Sequence, residues 1–316
     1  MTALADPLAP LLALADVQDA VEQARTAADA AMRHRALRRQ GGAVAAEISL
    51  RSAVASAALA GYAHDREQVR AGVVTDPVVQ GCLRVAAALP SLVDTWSKAP
   101  RQVLARLHVL AARGSVPADA LGHPIDPAAG PRLDALASLV AGGTSAPPLV
   151  LAAVVHGELL ALSPFAGAPG VVARAAARLT LMGSGFDPRG LIAPEVGHLA
   201  REPEYMGAAG AFATGTPDGV RSWLRHCAVA VALGAEDLTS AAEQTWTAPQ
   251  AGGAVTHVRP GYQACTCFVS GGRLPFGSAI RRDVPAAAGR AWVPGGRARS
   301  PSDDGVRIPI STPMTA

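Results

Sequence analysis

Apolar residues recur at intervals of three and four over residues 17–37, 43–59, 78–96 and 103–112. That is the period of a helix burying one face, and each run is bounded by Gly, Pro or a polar residue. Further helices are expected over 132–140, over 147–162 and over 168–182, the last stopping at Gly183, with the latter two flanking the motif that begins at Ser163. The last predicted helix covers 217–245, where Val220, Trp223, Leu224, Val229, Val231 and Leu233 suit a buried element. Asp76 and Pro77 read as an N-cap and a first-turn proline, and Pro90 is expected to break or kink the helix they start.

Residues 114–131 form a connection rich in Pro and Gly. Its prolines, Pro117, Pro124, Pro127 and Pro131, and its lack of alternating β-branched residues argue against a strand pair. Beyond Trp246 the helical period is lost. Residues 249–316 are crowded with Gly and Pro, carry arginines such as Arg281, Arg282, Arg297 and Arg299, and contain no glutamate, which predicts a disordered basic tail. The expected organisation is all-α: an N-terminal extension over 1–13, a helical domain over 14–246 and the tail over 247–316.

Composition narrows the function classes. Half of the 316 residues are hydrophobic but only 4% are aromatic, which favours helices packed closely through alanine over a β-sandwich. A net charge of +3 is too small to argue for nucleic acid or an anionic membrane. The cluster around Arg33, Arg35, Arg38 and Arg39 reads as a solvated helix end, with neither a helix-turn-helix pattern nor a stacking platform beside it. No apolar run approaches the length needed to cross a bilayer, and the N-terminus has no basic residue ahead of an apolar stretch, so a soluble, cytoplasmic protein is expected. Cys82, Cys227, Cys265 and Cys267 have neither a disulfide framework nor a four-ligand zinc spacing, and no metal is expected.

The chemistry-bearing candidates centre on residues 162–174, Leu-Ser-Pro-Phe-Ala-Gly-Ala-Pro-Gly-Val-Val-Ala-Arg. Gly170 opens a helix whose first amides would face an anion, and Arg174 lies one turn in. These two residues are the candidates for a residual nucleotide or phosphate site. The structural alternative is that Arg174 pairs with a nearby carboxylate while the loop closes the fold. His156 sits two helical turns before Ser163, and His198, Glu202 and Glu204 lie close in sequence without metal-ligand spacing. His226 and Cys227 are neighbours that helical geometry points apart. No GxGxxG, Walker A or Ser-His-Asp pattern is present.

The stretch over 163–174 resembles the Fic (Fido) motif, HPFx(D/E)GNGRxxR. Pro164, Phe165, Gly170 and Arg174 stand where that family has them. Ser163 stands at the general-base histidine, Gly167 at the metal-binding acid, Ala168 and Pro169 at Gly-Asn, and Val171 at the first arginine. His156, the segment Arg201–Tyr205 and the segment around Trp223 are similar to flanking features of the family. Upstream, Ser56, Ala60 and Gly61 resemble its inhibitory pattern (S/T)xxxE(G/N), with Ala60 in the glutamate's place.

The resemblance implies a helical fold whose active members use ATP and magnesium to transfer AMP to a protein hydroxyl. It implies no catalytic residue here, because a serine has no usable basicity near neutral pH, Gly167 offers no ligand and Pro169 removes an amide from the phosphate cradle. The expected protein is a catalytically silent relative that acts by binding a protein partner or by self-assembly, with no cofactor. The alternative is a nucleotidyl- or phosphoryl-transferring enzyme with a rearranged nucleotide site.

Overall fold

The computed structural model describes residues 6–247. In order they form α1 (Ala9–Leu12), α2 (Val17–Met32), α3 (Ala36–Arg39), α4 (Gly41–Ala58), α5 (Arg66–Arg70), α6 (Pro77–Trp96) and α7 (Pro100–Ala112). After two 3₁₀ turns, Ala118–Ala120 and Pro127–Ala129, come α8 (Gly130–Val140), α9 (Pro148–Leu162), α10 (Pro169–Gly183), α11 (Pro194–Ala200), α12 (Glu202–Phe212) and α13 (Pro217–Thr247). No strand occurs among the described residues, where one isolated bridge joins Arg113 and Val116. The all-α expectation holds. The tail expected beyond residue 247 lies outside the described residues.

Helix α9 is apolar on every face and correspondingly central. Val154 joins a core cluster built mainly from α1–α4, α12 and α13, whereas its neighbour Val155 joins a second cluster built mainly from α6, α7, α8, α10 and the later part of α4. Leu8 and Leu11 are buried in the first cluster, so packing begins ahead of residue 14. Asp6 holds that segment down by accepting from the Ser145 amide and hydroxyl at 2.5 and 2.6 Å.

Several local expectations are corrected. The run over 17–37 is two helices, because Arg33 to Arg35 leave helical hydrogen bonding and the chain turns before α3. Pro90 does not break α6, which continues to Trp96. Proline removes a single amide, and the apolar faces on either side stay packed. Asp76 caps that helix as expected, its Oδ1 accepting from the Val78 and Val79 amides at 2.8 and 3.2 Å. Gly183 is helical, and the left-handed residue after α10 is Gly185, with φ of 78°.

Helix α4 crosses both α6 and α13. Buried Arg51 ties it to α13 by donating to Asp237 at 2.6 Å and Gln244 at 2.6 Å, while Glu47 holds Nε at 2.7 Å. Past its end, Gly61 at φ 90° donates to the Ala58 carbonyl and Tyr62 to the Ala57 carbonyl. This is the paired bonding of a Schellman cap, so Gly61 is there for the left-handed turn. Ala60 is exposed on that turn.

Candidate functional site

Helices α9 and α10 are joined by the loop 163–168, and its geometry starts with Ser163. The Ser163 amide donates to the Leu159 carbonyl at 3.0 Å, closing α9, and its backbone is left-handed at φ 43°, ψ 54°. Left-handed backbone is unfavourable for a residue with a Cβ, and Pro164 forbids a further helical turn. Phe165 anchors the loop in the second core cluster. Ala168 lies at the N-cap of α10 with no side-chain cap, and Pro169 is the first helical residue. Because proline has no amide, only Gly170 and Val171 offer first-turn donors, and Val171 is buried.

Arg174 is buried at 4% exposure and takes no carboxylate among the described residues. Its Nε donates to Ser56 Oγ at 3.0 Å, Nη2 to the Ser56 carbonyl at 2.8 Å and Nη1 to Tyr205 Oη at 3.3 Å. The carboxylate partner considered from sequence is thus replaced by neutral oxygens on α4 and α12. The guanidinium bends back over the start of α10: a Cβ on Gly170 would lie 3.0 Å from Nη1. Gly170 and Arg174 are therefore brought together, with the glycine making room for the arginine.

One turn further on, Arg178 donates to Ser52 Oγ and the Gly190 carbonyl, both at 2.7 Å. Its Nε and Glu195 Oε2 are buried without a hydrogen-bond partner among the described residues. Beside this polar seam is a cavity of about 10 Å³ lined by Ser52, Ser56, Val171, Ala175, Cys82 and Glu195, among others. Such a space holds about one water molecule. Burial pushes the Cys82 thiol up to about 11.

Behind Arg174 lies a cluster that sequence spacing did not reveal. His156 on α9 meets Tyr205 Oη through Nε2 at 3.0 Å, and His198 Nδ1 meets His226 Nε2 at 3.0 Å. The His156 and His198 rings lie edge to face at 5.1 Å, and Trp223, 5.0 Å from His156, donates from its indole N–H to the Ala153 carbonyl at 2.7 Å. Burial, then the positive charge of Arg174, holds His156 well below its usual value. Burial comes first for His198 too, followed by the neighbouring imidazoles, and His226 is lowered to about 4 by burial and then by Arg201. All three rings are neutral near pH 7. Glu202 and Glu204 remain exposed and outside the cluster. Among the described residues no group of His, Cys, Asp or Glu has the arrangement of a metal site.

The other side of the loop is covered by the α7–α8 connection. A Cβ on Gly167, which has φ of 76°, would lie 2.5 Å from Val116 Cγ1. The Ile125 amide donates to the Pro164 carbonyl at 2.8 Å. His108 on α7, fully buried, stacks on Phe165 at 4.8 Å and holds the Ala166 carbonyl through Nε2 at 2.9 Å. Neither Val116 nor His108 carried a motif that would have singled it out in the sequence.

The sequence matches no family model and no curated protein. Solved structures do match. Fic-1 of C. elegans, residues 134–508, superposes with a TM-score of 0.59 at 18% identity, covering 75% of each chain. A Fic family protein from Desulfovibrio desulfuricans G20 gives a TM-score of 0.54 at 18% identity, again with 75% of each chain covered. A variant of the C. elegans protein gives 0.59 at 19% identity over 73% of this chain and 74% of that one. The chain adopts the Fic fold.

Proposed function

We propose that this chain is a Fic-fold protein that does not transfer nucleotides and acts by binding another protein or a second copy of itself. The observation that carries the reading is the condition of Arg174. The side chain that the motif would aim at phosphate is instead buried and hydrogen-bonded to Ser56 and Tyr205. The residues present do not fit a magnesium nucleotide. Arg174 has Ser56 and Tyr205 on its guanidinium nitrogens, and the cavity behind Ser56 is about 10 Å³, room for about one water molecule. Gly167 offers no carboxylate, and its Cα faces Val116.

Nucleotidyl transfer needs a base at the acceptor hydroxyl and charge stabilisation at the transferred phosphate. Ser163 supplies no base, and Val171 and Gly167 supply neither cation nor cation ligand. Retention of the scaffold supports a role in recognition, because the positions kept, Pro164, Phe165, Gly170 and Arg174, are those that shape the loop and fill the core. The test incubates the purified full chain with α-labelled ATP, magnesium and host lysate, alongside calorimetry with ATP and GTP. The expected result is no labelled protein and no heat of binding at millimolar nucleotide. A labelled band, or saturable binding lost in Arg174→Ala but not in Arg132→Ala, would favour an enzyme with a rearranged site instead.

A further inference from the structure

His108 is a junction between three segments that are far apart in sequence. It belongs to α7, its ring lies on Phe165, and it makes two hydrogen bonds of opposite sense. The Gly122 amide donates to Nδ1 at 2.9 Å, so Nδ1 must be an unprotonated acceptor. Nε2 faces the Ala166 carbonyl, which can only accept, so Nε2 must carry the proton. The geometry therefore fixes one form of the ring: neutral, with its hydrogen on Nε2. In that form it joins the α7–α8 connection, through Gly122, to the loop between α9 and α10, through Ala166.

We infer that His108 is an acid-released latch holding the α7–α8 connection over the loop 163–168. A proton added to Nδ1 faces the Gly122 N–H, two donors 2.9 Å apart with no acceptor between them. That bond is lost while the Ala166 bond survives, so the ring stays on the loop and the connection is released. Among the described residues the remaining polar tie from the connection to the loop is the Ile125 amide on the Pro164 carbonyl, and it lies at a residue 65% exposed. Apolar ties also remain, with Val116 against Gly167 and Leu121 on the core cluster that holds Phe165. Release frees the Pro164 carbonyl, now held by Ile125, for another chain, while the Ala166 carbonyl stays on the ring.

The surroundings favour the neutral form. Burial lowers the affinity of the ring for a second proton, the Ala166 carbonyl opposes that shift, and His123, on the connection itself, acts with burial to disfavour the charged ring. His123 is exposed, and among the described residues it is the ionisable group acting on this ring. Among the described residues no acidic side chain contributes, so the Ala166 carbonyl alone counters the burial. The latch goes beyond the silence of the Arg174 site and does not depend on it.

The test is amide hydrogen exchange of the full chain, corrected for the intrinsic rate, with a parallel ¹⁵N titration of the imidazole nitrogens. Gly122 and Ile125 should lose protection by roughly tenfold per pH unit once His108 begins to titrate, while α10 amides keep theirs. His108→Gln, whose amide donates and accepts without titrating, should hold both amides level over the same range. The wild-type titration stands alone if that variant fails to fold. The inference is overturned if His108 carries its proton on Nδ1 near neutral pH, if Gly122 and Ile125 keep their protection as His108 titrates, or if α10 loses protection in step with them.

Discussion

Arg174 and Ser56 are joined twice across the α10–α4 interface, with Nε on the hydroxyl and Nη2 on the carbonyl of one residue. The two bonds draw the start of one helix onto the end of another and leave the guanidinium facing no anion among the described residues. A cation buried among neutral oxygens is held by geometry and not by charge neutralisation, and it raises the local positive potential felt by the histidines behind it.

Removing either half of this pair should therefore be read as a change in stability. Ser56→Ala deletes one acceptor and leaves Nε unsatisfied in the core, an effect of about 1–3 kcal/mol. Arg174→Ala opens a cavity and takes the guanidinium donor from the Ser56 carbonyl as well, for about 3 kcal/mol or more. Urea unfolding of both variants checks the order, and a Ser56→Ala protein as stable as the parent would contradict the burial of that bond.

The backbone at Ser163 leads to a second prediction. A serine at φ 43° bears the steric cost of left-handed backbone that glycine does not. Ser163→Gly should stabilise the protein by up to about 1 kcal/mol, since only the strain is removed. Ser163→His, which restores the base of the motif, should yield no labelling with ATP because neither a cation ligand nor a phosphate pocket returns with it. Thermal melts and a labelling gel check the two substitutions separately.

Much of this was legible in sequence. Three- and four-residue periodicity located α4, α6 and α7, and the motif residues Pro164, Phe165, Gly170 and Arg174 marked the loop and with it α9 and α10 on either side. What escaped was set by tertiary contact. Ser56 and Arg174 lie 118 residues apart, and His108 and Ala166 lie 58 apart. No local pattern announces that an isolated histidine will accept from one loop and donate to another. The Ala60–Gly61 pair was legible as a pattern, but only the coordinates distinguish a capping glycine from a regulatory one.

The histidine cluster makes the fold acid-sensitive in a defined direction. His156, His198 and His226 are neutral when folded and bind protons more readily when unfolded, so the unfolded chain takes up protons as pH falls below about 6.5. Their contribution is complete above that pH and is lost on acidification. For His226, lowered from 6.5 to about 4, the loss reaches about 3 kcal/mol by pH 4. Unfolding free energy measured from neutral pH downwards should decline with a slope of up to about three protons, or about 4 kcal/mol per pH unit where all three titrate. His226→Gln should lower that slope. A slope unchanged by the substitution would place the proton uptake elsewhere.

Restoring the missing acid should fail for a steric reason before any chemical one. Gly167 has a positive φ of 76°, where any side chain is strained, and its Cβ would sit 2.5 Å from Val116 Cγ1. Gly167→Asp therefore combines backbone strain with a clash against the α7–α8 connection, and a loss of about 2 kcal/mol or more is expected. Adding Val116→Ala relieves the clash but not the strain, so the double variant should recover part of that loss and no more. Chemical denaturation of the single and double variants separates the two contributions. Full recovery would mean that the backbone at Gly167 tolerates a side chain, and no recovery would mean that Val116 does not press on the loop.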